Sequence, residues 1–275
     1  MNNKILTDKI KESRKYIKNR LKFCPKTALI VGSGLSNIKH TLKDQISIPY
    51  SQIPNFKTST VEGHIGELVI GKMNNVDVFL LNGRIHYYEG YTMQEVSYPV
   101  RVMKSLGVEN LVITCAVGAV NKRYKPGDVV VIKDHINFSG SNPLIGKHFK
   151  EFGARFPDMT EIYDKSFRSF VIKTAKNKKI KLYEGIYFAV SGPSYETPAE
   201  ISAYSKLGAD VVGMSLVGES IVAKQVGMKI LALTYVSNKA SGLSKNILSH
   251  KEVLEAGEKA SVSIEKIVKD FVRIL

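Results

Sequence analysis

One stretch, Gly192–Glu200 with the sequence GPSYETPAE, constrains the fold of this chain more than any other. The segment before it, Lys181–Val190, is rich in β-branched and aromatic residues, which predicts a strand. After it, Thr197 can cap a helix, Pro198 suits the first helical position and Glu200 completes a capping box. A strand that turns directly into a helix is typical of an α/β protein. In that class such turns lie at the carboxyl edge of the sheet, where ligands bind.

The turn itself contains Tyr195 and Glu196, an aromatic ring beside a carboxylate. This pair suits a flat ligand that stacks on the ring and offers N–H donors to the carboxylate. The alternative is that Tyr195 is a core residue and Glu196 a solvated turn charge. The stretch alone does not decide between the two.

The length of 275 residues suits one large α/β domain or two small ones, and 44% hydrophobic and 24% charged residues are ordinary for a globular protein. No interdomain linker appears in the sequence, and we expect one domain over residues 1–275. No apolar run is long enough to span a bilayer, and the N-terminal segment lacks the continuous apolar region of a secretory signal. The two cysteines, Cys24 and Cys115, have neither metal-binding nor redox spacing. We therefore expect a cytoplasmic protein with no metal and no membrane partner.

The net charge of +15 raises the question of a nucleic-acid partner or an acidic substrate. The lysines are scattered, however, and only Lys173–Lys181 is dense in them. There is no RNA-binding aromatic signature and no zinc-finger spacing. We expect a lysine-rich surface that attracts an anionic substrate and binds no nucleic acid. A basic nucleic-acid-binding protein is the non-enzyme alternative.

Further polar residues follow other predicted strands. Ser33 lies in a glycine turn, where a hydroxyl and backbone N–H groups can donate to an anion. Arg84 and His86 follow the strand Val76–Asn82, and alternation places them on one face with Tyr88 as an aromatic wall. Arginine presents a planar fork of donors that suits an oxyanion. A structural salt bridge is the alternative role for Arg84.

Later strand ends complete two sets of groups. Leu111–Ala116 is a continuous apolar run, typical of a buried parallel strand, and we expect a turn at Val117–Ala119. The predicted donors to a tetrahedral anion are Ser33, Arg84, His86, Ala116 and Ser215. The predicted groups for a planar heterocycle are Glu196 and Asn238, with Tyr88, Tyr195 and Met214 as apolar walls. An anion site beside a base site predicts group transfer to phosphate.

The chain resembles the homotrimeric class of purine nucleoside phosphorylases in motifs that run in the family's order along nearly its whole length. These motifs are VGSGLS at Val31–Ser36, GHIGELVIG at Gly63–Gly71, GRIHYYEGY at Gly83–Tyr91, GDVVVIKDHIN at Gly127–Asn137, RFPDM at Arg155–Met159, GPSYETPAE at Gly192–Glu200, VGMS at Val212–Ser215 and SNKASG at Ser237–Gly242.

The resemblance implies a fold and a reaction. The fold is a single α/β domain whose central mixed, twisted β-sheet is partly barrel-like and flanked by helices. The reaction is the reversible phosphorolysis of purine nucleosides and deoxynucleosides, such as inosine and guanosine, in purine salvage. Its products are the free base and ribose or deoxyribose 1-phosphate. Inorganic phosphate is a co-substrate, and no cofactor is required.

The resemblance also implies residue roles. His86, Glu196 and Asn238 are the catalytic residues, and phosphate binds Ser33, Arg84, His86, Ser215 and the backbone N–H of Ala116. The purine lies against Glu196, Asn238, Tyr195 and Val212. The ribose lies against Tyr88, Met214, Tyr187 and His250, with Phe152 reaching in from the neighbouring subunit of a trimer.

One segment departs from the family, which commonly has Thr-Asn-Ala-Ala-Gly-Gly where this chain has TCAVGA at Thr114–Ala119. Two related activities stay open. A methylthioadenosine phosphorylase would share the fold, but we expect Asp rather than Asn at position 238. A nucleosidase would use water, and the predicted anion site would then have no purpose.

Overall fold

A computed structural model describes residues 3–21, 23–61, 65–244 and 250–275, with side chains from residue 6 in the first helix and from residue 255 in the last. The helices are α1 Asn3–Lys18, α2 Met93–Val96, α3 Tyr98–Ser105, α4 Lys165–Asn177, α5 Pro198–Lys206, α6 Val217–Gln225 and α7 His250–Val272. The strands are β1 Thr27–Val31, β2 Lys43–Pro49, β3 Glu67–Met73, β4 Val76–Asn82, β5 Asn110–Ala119, β6 Val129–Asn137, β7 Leu182–Ala189, β8 Val211–Gly213 and β9 Lys229–Lys239. Within these ranges, no helix combines the length and the apolar character needed to cross a membrane.

The strands form one mixed sheet in the order β2-β3-β4-β1-β5-β8-β7-β6-β9. Strand β9 also pairs in parallel with β5, so the second half of the sheet closes on itself as a barrel of five strands. The first half stays open and ends in the antiparallel β2–β3–β4 meander. The predicted α/β fold with a mixed, partly barrel-like sheet is confirmed.

Helices cover the sheet on both faces, and alternation along the strands explains how. In β1, Ala28 and Ile30 belong to one apolar layer and Leu29 and Val31 to the other. The first layer packs against α1, α3 and α6, and the second against α4 and α7. A strand buried on both faces has no polar side chains to alternate with, which is why β1 reads as a continuous apolar run.

The local signals of helix and hairpin ends are confirmed. The hydroxyl of Thr197 accepts a bond of 3.2 Å from the Glu200 N–H, and the Glu200 carboxylate accepts one of 2.7 Å from the Thr197 N–H. Asn74 and Asn75 join β3 to β4 with φ angles of 51° and 67°. Asparagine tolerates this left-handed region, and the tight hairpin turn requires it.

The predicted turn at Val117–Ala119 is wrong. Strand β5 continues to Ala119, because Gly118 and Ala119 pair with Val212 and Val211 of β8 and also with the end of β9. A short-range pattern of small residues cannot reveal such long-range pairing. The sequence also predicts a strand that begins at His64 and a final helix capped by Ser249, and both of these positions lie outside the described residues.

The last helix packs unusually close to the first βα loop. Gly34 has a φ of +72°, and a Cβ atom added to it would lie 2.8 Å from the Gly257 Cα. A Cβ added to Gly257 would lie 2.7 Å from both the Gly34 Cα and the Tyr235 Oη. Because Tyr235 Oη donates a 2.8 Å hydrogen bond to the Ser33 carbonyl, all four residues form one contact. Two glycines are needed here for close approach of the backbones.

We expect Gly257→Ala to lower the free energy of unfolding by about 1–3 kcal/mol, the usual cost of overpacking. The new methyl group has to displace either the Ser33 loop or Tyr235. Chemical denaturation measures the effect, and Glu258→Ala at the neighbouring exposed position of α7 is the control. Equal stability of the two variants would contradict the close contact.

Candidate functional site

A cavity of about 130 Å³ lies where the ends of β1, β4, β5, β8 and β9 meet the turn before α5. Most of the predicted site residues line it, although they come from distant parts of the chain. These residues are Ser33, Arg84, His86, Tyr88, Ala116, Tyr195, Glu196, Val212, Met214, Ser215 and Asn238. The alternative that Tyr195 is a core residue fails, because its side chain is 42% exposed at the cavity.

The Ser33 loop is shaped by its neighbours on β5 and β9. Its carbonyl accepts the Tyr235 hydroxyl, which fixes the backbone at this serine. A Cβ atom on Gly32 would lie 3.2 Å from the Thr114 carbonyl oxygen and 3.3 Å from the Cys115 Cα. Glycine at this position therefore lets the loop approach β5 and brings Ser33 close to Ala116.

Arg84 is buried beside the cavity and is held by two acceptors. Its Nη1 lies 3.3 Å from the Glu219 Oε2, and its Nη2 donates to the Thr114 carbonyl. The predicted alternative of a structural ion pair is therefore realised, but the same side chain also lines the cavity. A buried guanidinium held in place costs little reorganisation when an anion binds.

His86 is oriented by Glu89 and stacks on Tyr88. Its Nδ1 lies 2.9 Å from the Glu89 Oε1, and its ring is 4.7 Å from the Tyr88 ring with an interplanar angle of 11°. Burial, with a smaller contribution from the Arg84 charge, lowers the pKa of His86 to about 4 against the opposing effect of Glu89. The imidazole is thus neutral at pH 7 in this structure.

Ser215 follows the short strand β8 and is supported from behind by Tyr187. The Tyr187 hydroxyl accepts a 3.1 Å hydrogen bond from the Ser215 N–H. Tyr187 is fully buried, and a Cβ atom on Gly213 would lie 2.3 Å from its hydroxyl. Tyr187 does not itself line the cavity, but it contacts Gly213 and Ser215, which do, and its expected ribose contact stays a prediction.

Glu196 and Asn238 also line the cavity. Burial raises the pKa of the Glu196 carboxyl, and Glu200 raises it further. The Asn238 amide oxygen accepts the Ser237 hydroxyl at 2.5 Å, while its Nδ2 donates to the Lys239 carbonyl at 2.9 Å. These contacts fix the plane of the amide, and its second N–H remains for a ligand.

Two other predicted ribose residues lie elsewhere or outside the described side chains. Phe152 packs near the surface, with its ring 4.7 Å from the Arg101 guanidinium of the same chain. The side chain of His250 lies outside the described residues. Six cavity-lining residues were not among the predicted site residues: Gly32, Cys115, Val117, Gly118, Gly213 and Ser237. Val117 and Gly118 lie in the segment expected to be a turn, and Cys115 lies in the predicted buried strand before it.

Among the described side chains, no cluster of three or more His, Cys, Asp or Glu residues is placed to hold a metal ion. The groups at the cavity are instead donors at one end and a carboxylate with an amide at the other. Such an arrangement can bind an anion and orient a heterocycle next to it.

Residues 26–273 match the family model of the phosphorylase superfamily. Purine nucleoside phosphorylase 1 of Bacillus subtilis (strain 168) is 48% identical over 267 residues, which are 97% of this chain and 98% of the relative. The crystal structure of schistosoma purine nucleoside phosphorylase in complex with hypoxanthine has a TM-score of 0.92 at 34% identity, covering 98% of this chain and 97% of that one. The Schistosoma mansoni enzyme in complex with adenosine has a TM-score of 0.93 at 34% identity, with the same coverage.

The low pKa of His86 predicts loss of stability in acid. An unfolded histidine takes up a proton below pH 6.5, whereas folded His86 does so only below about 4. Stability from the neutral imidazole is therefore present above pH 6.5 and is lost as the pH falls towards 4. The loss amounts to about 3 kcal/mol for this shift.

Denaturation curves in phosphate-free buffer between pH 7.5 and 4 measure this loss. His86→Asn should flatten the decline, while His40→Asn, at an exposed position, should leave it as in the wild type. A decline of equal slope in all three proteins would contradict the assignment to His86.

Proposed function

The chain belongs to the phosphorylase superfamily, and within it to the purine nucleoside phosphorylases, and on that premise we propose that it cleaves purine nucleosides with inorganic phosphate. One observation carries this proposal. A single cavity is lined by Arg84, His86, Ser33 and Ser215, which suit phosphate, and by Glu196 and Asn238, which suit a purine. Phosphate would bind at the first set and the purine at the second, so the two would occupy opposite ends of the cavity with the ribose between them.

The proposed reaction uses the two ends together. A phosphate oxygen attacks the anomeric carbon of the ribose while the bond from that carbon to the purine nitrogen breaks. The purine leaves with the electron pair, and the sugar carries positive charge in the transition state. The phosphate dianion offsets the charge on the sugar, and hydrogen bonds from Asn238 to the purine stabilise the departing base. Holding both reactants aligned supplies further rate.

His86 changes its role with phosphate. In the unliganded protein Arg84 and burial keep its pKa low. A bound dianion favours the imidazolium form, which can then donate to a phosphate oxygen. Water could replace phosphate in a nucleosidase, but the donors of Ser33, Arg84, His86 and Ser215 would then line a cavity that receives no anion. An Asn at position 238 also distinguishes the chain from the Asp expected of a methylthioadenosine phosphorylase.

We expect cleavage of inosine to require inorganic phosphate, and Arg84→Ala to raise the KM for phosphate by about 10-fold to 100-fold. This range corresponds to the loss of one charge-assisted hydrogen-bonded contact, about 1.5–3 kcal/mol. The KM for inosine should change much less. Steady-state kinetics with each substrate varied in turn measures both values. Equal rates with and without phosphate would show that the enzyme is a hydrolase.

We propose that the base site prefers 6-oxopurines to adenosine. An ionised Glu196 can only accept hydrogen bonds, and inosine and guanosine present a proton on N1. Adenosine presents a bare N1 acceptor, which would face the carboxylate in a half-buried site. Each mismatched pair of buried polar groups costs about 1–3 kcal/mol. Because the pKa of Glu196 is raised, its carboxyl group takes up a proton more readily as the pH falls and can then donate to N1 of adenosine. The rate of adenosine cleavage relative to inosine cleavage should therefore rise as the pH falls.

We expect Asn238→Asp to increase the ratio of adenosine to inosine cleavage by about tenfold or more. A protonated aspartate can donate to N7 while its other oxygen accepts from a 6-amino group. Cleavage rates must be compared rather than binding, since a relative is known in complex with adenosine. Asn177→Asp, at the exposed end of α4, is the matched control. If Asn238 only holds the loop after β9 in place, Asn238→Asp will slow the cleavage of adenosine and of inosine by the same factor.

We propose a homotrimer in which Phe152 contacts the neighbouring active site. The segment from Phe138 to Asp158 carries large exposed apolar side chains, with Phe138 60%, Ile145 66% and Phe156 88% exposed. These residues suit a protein interface, because exposed aromatic clusters mark interaction surfaces. We further propose that the enzyme acts in the cytoplasm in purine salvage. It would need no cofactor and would bind no nucleic acid.

A further inference from the structure

Glu219 lies behind the cavity, within reach of two of its walls. It is only 2% exposed and occupies the third position of α6. Its Oε2 accepts a 3.0 Å hydrogen bond from the Leu216 N–H and lies 3.3 Å from the Arg84 Nη1. One oxygen atom therefore joins the end of β4 to the start of α6.

The small cavities around the site show the same placement. One of about 20 Å³ is lined by Arg84 and Glu219, and another of about 20 Å³ by Ser215 and Glu219. Glu219 thus stands behind Arg84 on one side and behind Ser215 on the other. Both of these residues, in contrast, line the main cavity. Glu219 can act on phosphate only through them.

The turn that Glu219 holds is strained. Leu216 has a φ of 70° and a ψ of −47°, and it is 1% exposed. A bulky residue at positive φ is rare and persists only where the surroundings impose it. The Glu219 bond to the Leu216 N–H and the Tyr187 bond to the Ser215 N–H fix two successive amides. Since both amides are occupied, Ser215 would meet phosphate through its hydroxyl.

We propose that Glu219 is a positioning residue, whose carboxylate holds Arg84 and the Ser215–Leu216 turn in the one arrangement that receives phosphate. This inference rests on the proposed function. Without Glu219, Arg84 would lose the buried carboxylate acceptor at its Nη1, while its Nη2 would keep the Thr114 and Ile30 carbonyls. The Ser215–Leu216 turn would lose the bond that opposes its strain.

Charge alone does not explain a carboxylate here. A buried negative charge behind a phosphate site repels the incoming dianion, and burial raises the pKa of Glu219 against the opposing effect of Arg84. The Arg84 Nη1 and the Leu216 N–H both need an oxygen acceptor at a fixed position. A glutamine keeps such an oxygen at the same reach, whereas an aspartate keeps the charge but falls short by one carbon–carbon bond.

The test compares Glu219→Gln, Glu219→Asp and Glu219→Ala with the wild type by steady-state kinetics. We expect the KM for phosphate to rise by about tenfold or more in the Asp and Ala variants. In the Gln variant it should stay within about threefold of the wild type, because the acceptor is retained. The KM for inosine should stay within about twofold in all three, as Glu219 lies behind the phosphate end.

Glu67→Ala is the matched control. Glu67 is a second buried carboxylate, bound to Lys39 at 2.8 Å and Asn82 at 2.9 Å, and it lies outside the lining of the main cavity. It should lose stability without a selective rise in the KM for phosphate. If the Glu219→Ala variant does not fold, the difference in the KM for phosphate between Glu219→Asp and Glu219→Gln still tests the proposal.

The proposal is overturned if Glu219→Asp keeps the wild-type KM for phosphate while Glu219→Gln raises it. That result would mean that the charge of the side chain matters and the position of its oxygen does not. It is also overturned if both KM values rise together, or if all variants keep the wild-type KM for phosphate. In each case a phosphate requirement of the wild type would leave the proposed function intact.

Discussion

The parallel pairing of β5 with β9 is the constraint on which the rest of the structure depends. It runs from Asn110 opposite Lys229 to Ala119 opposite Lys239 and closes half of an open sheet into a barrel. The register shifts between Val117 and Gly118, and such a bulge re-aims the side chains that follow it. It places Gly118 beside Asn238, so one strand pair positions both the Ala116–Gly118 backbone and the Asn238 amide at the cavity.

Several features around the cavity would each lower the free energy of unfolding if they stood elsewhere in the fold. They are a buried guanidinium beside a buried carboxylate, a neutral histidine and a leucine at positive φ. In a medium that excludes water, fixed charges and dipoles act on a ligand far more strongly than they do in solution. The two helix-covered apolar layers supply the stability that offsets these costs.

Signals confined to a few neighbouring residues allowed much of the fold to be predicted. The capping box of Thr197 and Glu200, the Asn74–Asn75 turn and the apolar run of β1 each depend on local chemistry alone. The same holds for the donors at strand ends, since parallel strands bring their carboxyl ends to one edge. The one prediction that failed depends on distant partners, since the extension of β5 to Ala119 follows from its pairing with β8 and β9. Glu219 carried a signal, a glutamate three residues into a helix, but nothing nearby showed that it would meet Arg84.

The close packing of Gly34 on Gly257 has a consequence for the order in which the protein becomes complete during synthesis. The ribosome makes a chain from its N-terminus, so Ser33, Arg84, His86 and Ser215 all emerge before α7 does. The surface that shapes the Ser33 loop is therefore added after them. A nascent or prematurely released chain that ends before residue 257 would carry these four cavity residues but leave the loop without its support. The cavity takes its full shape only after α7 has been made.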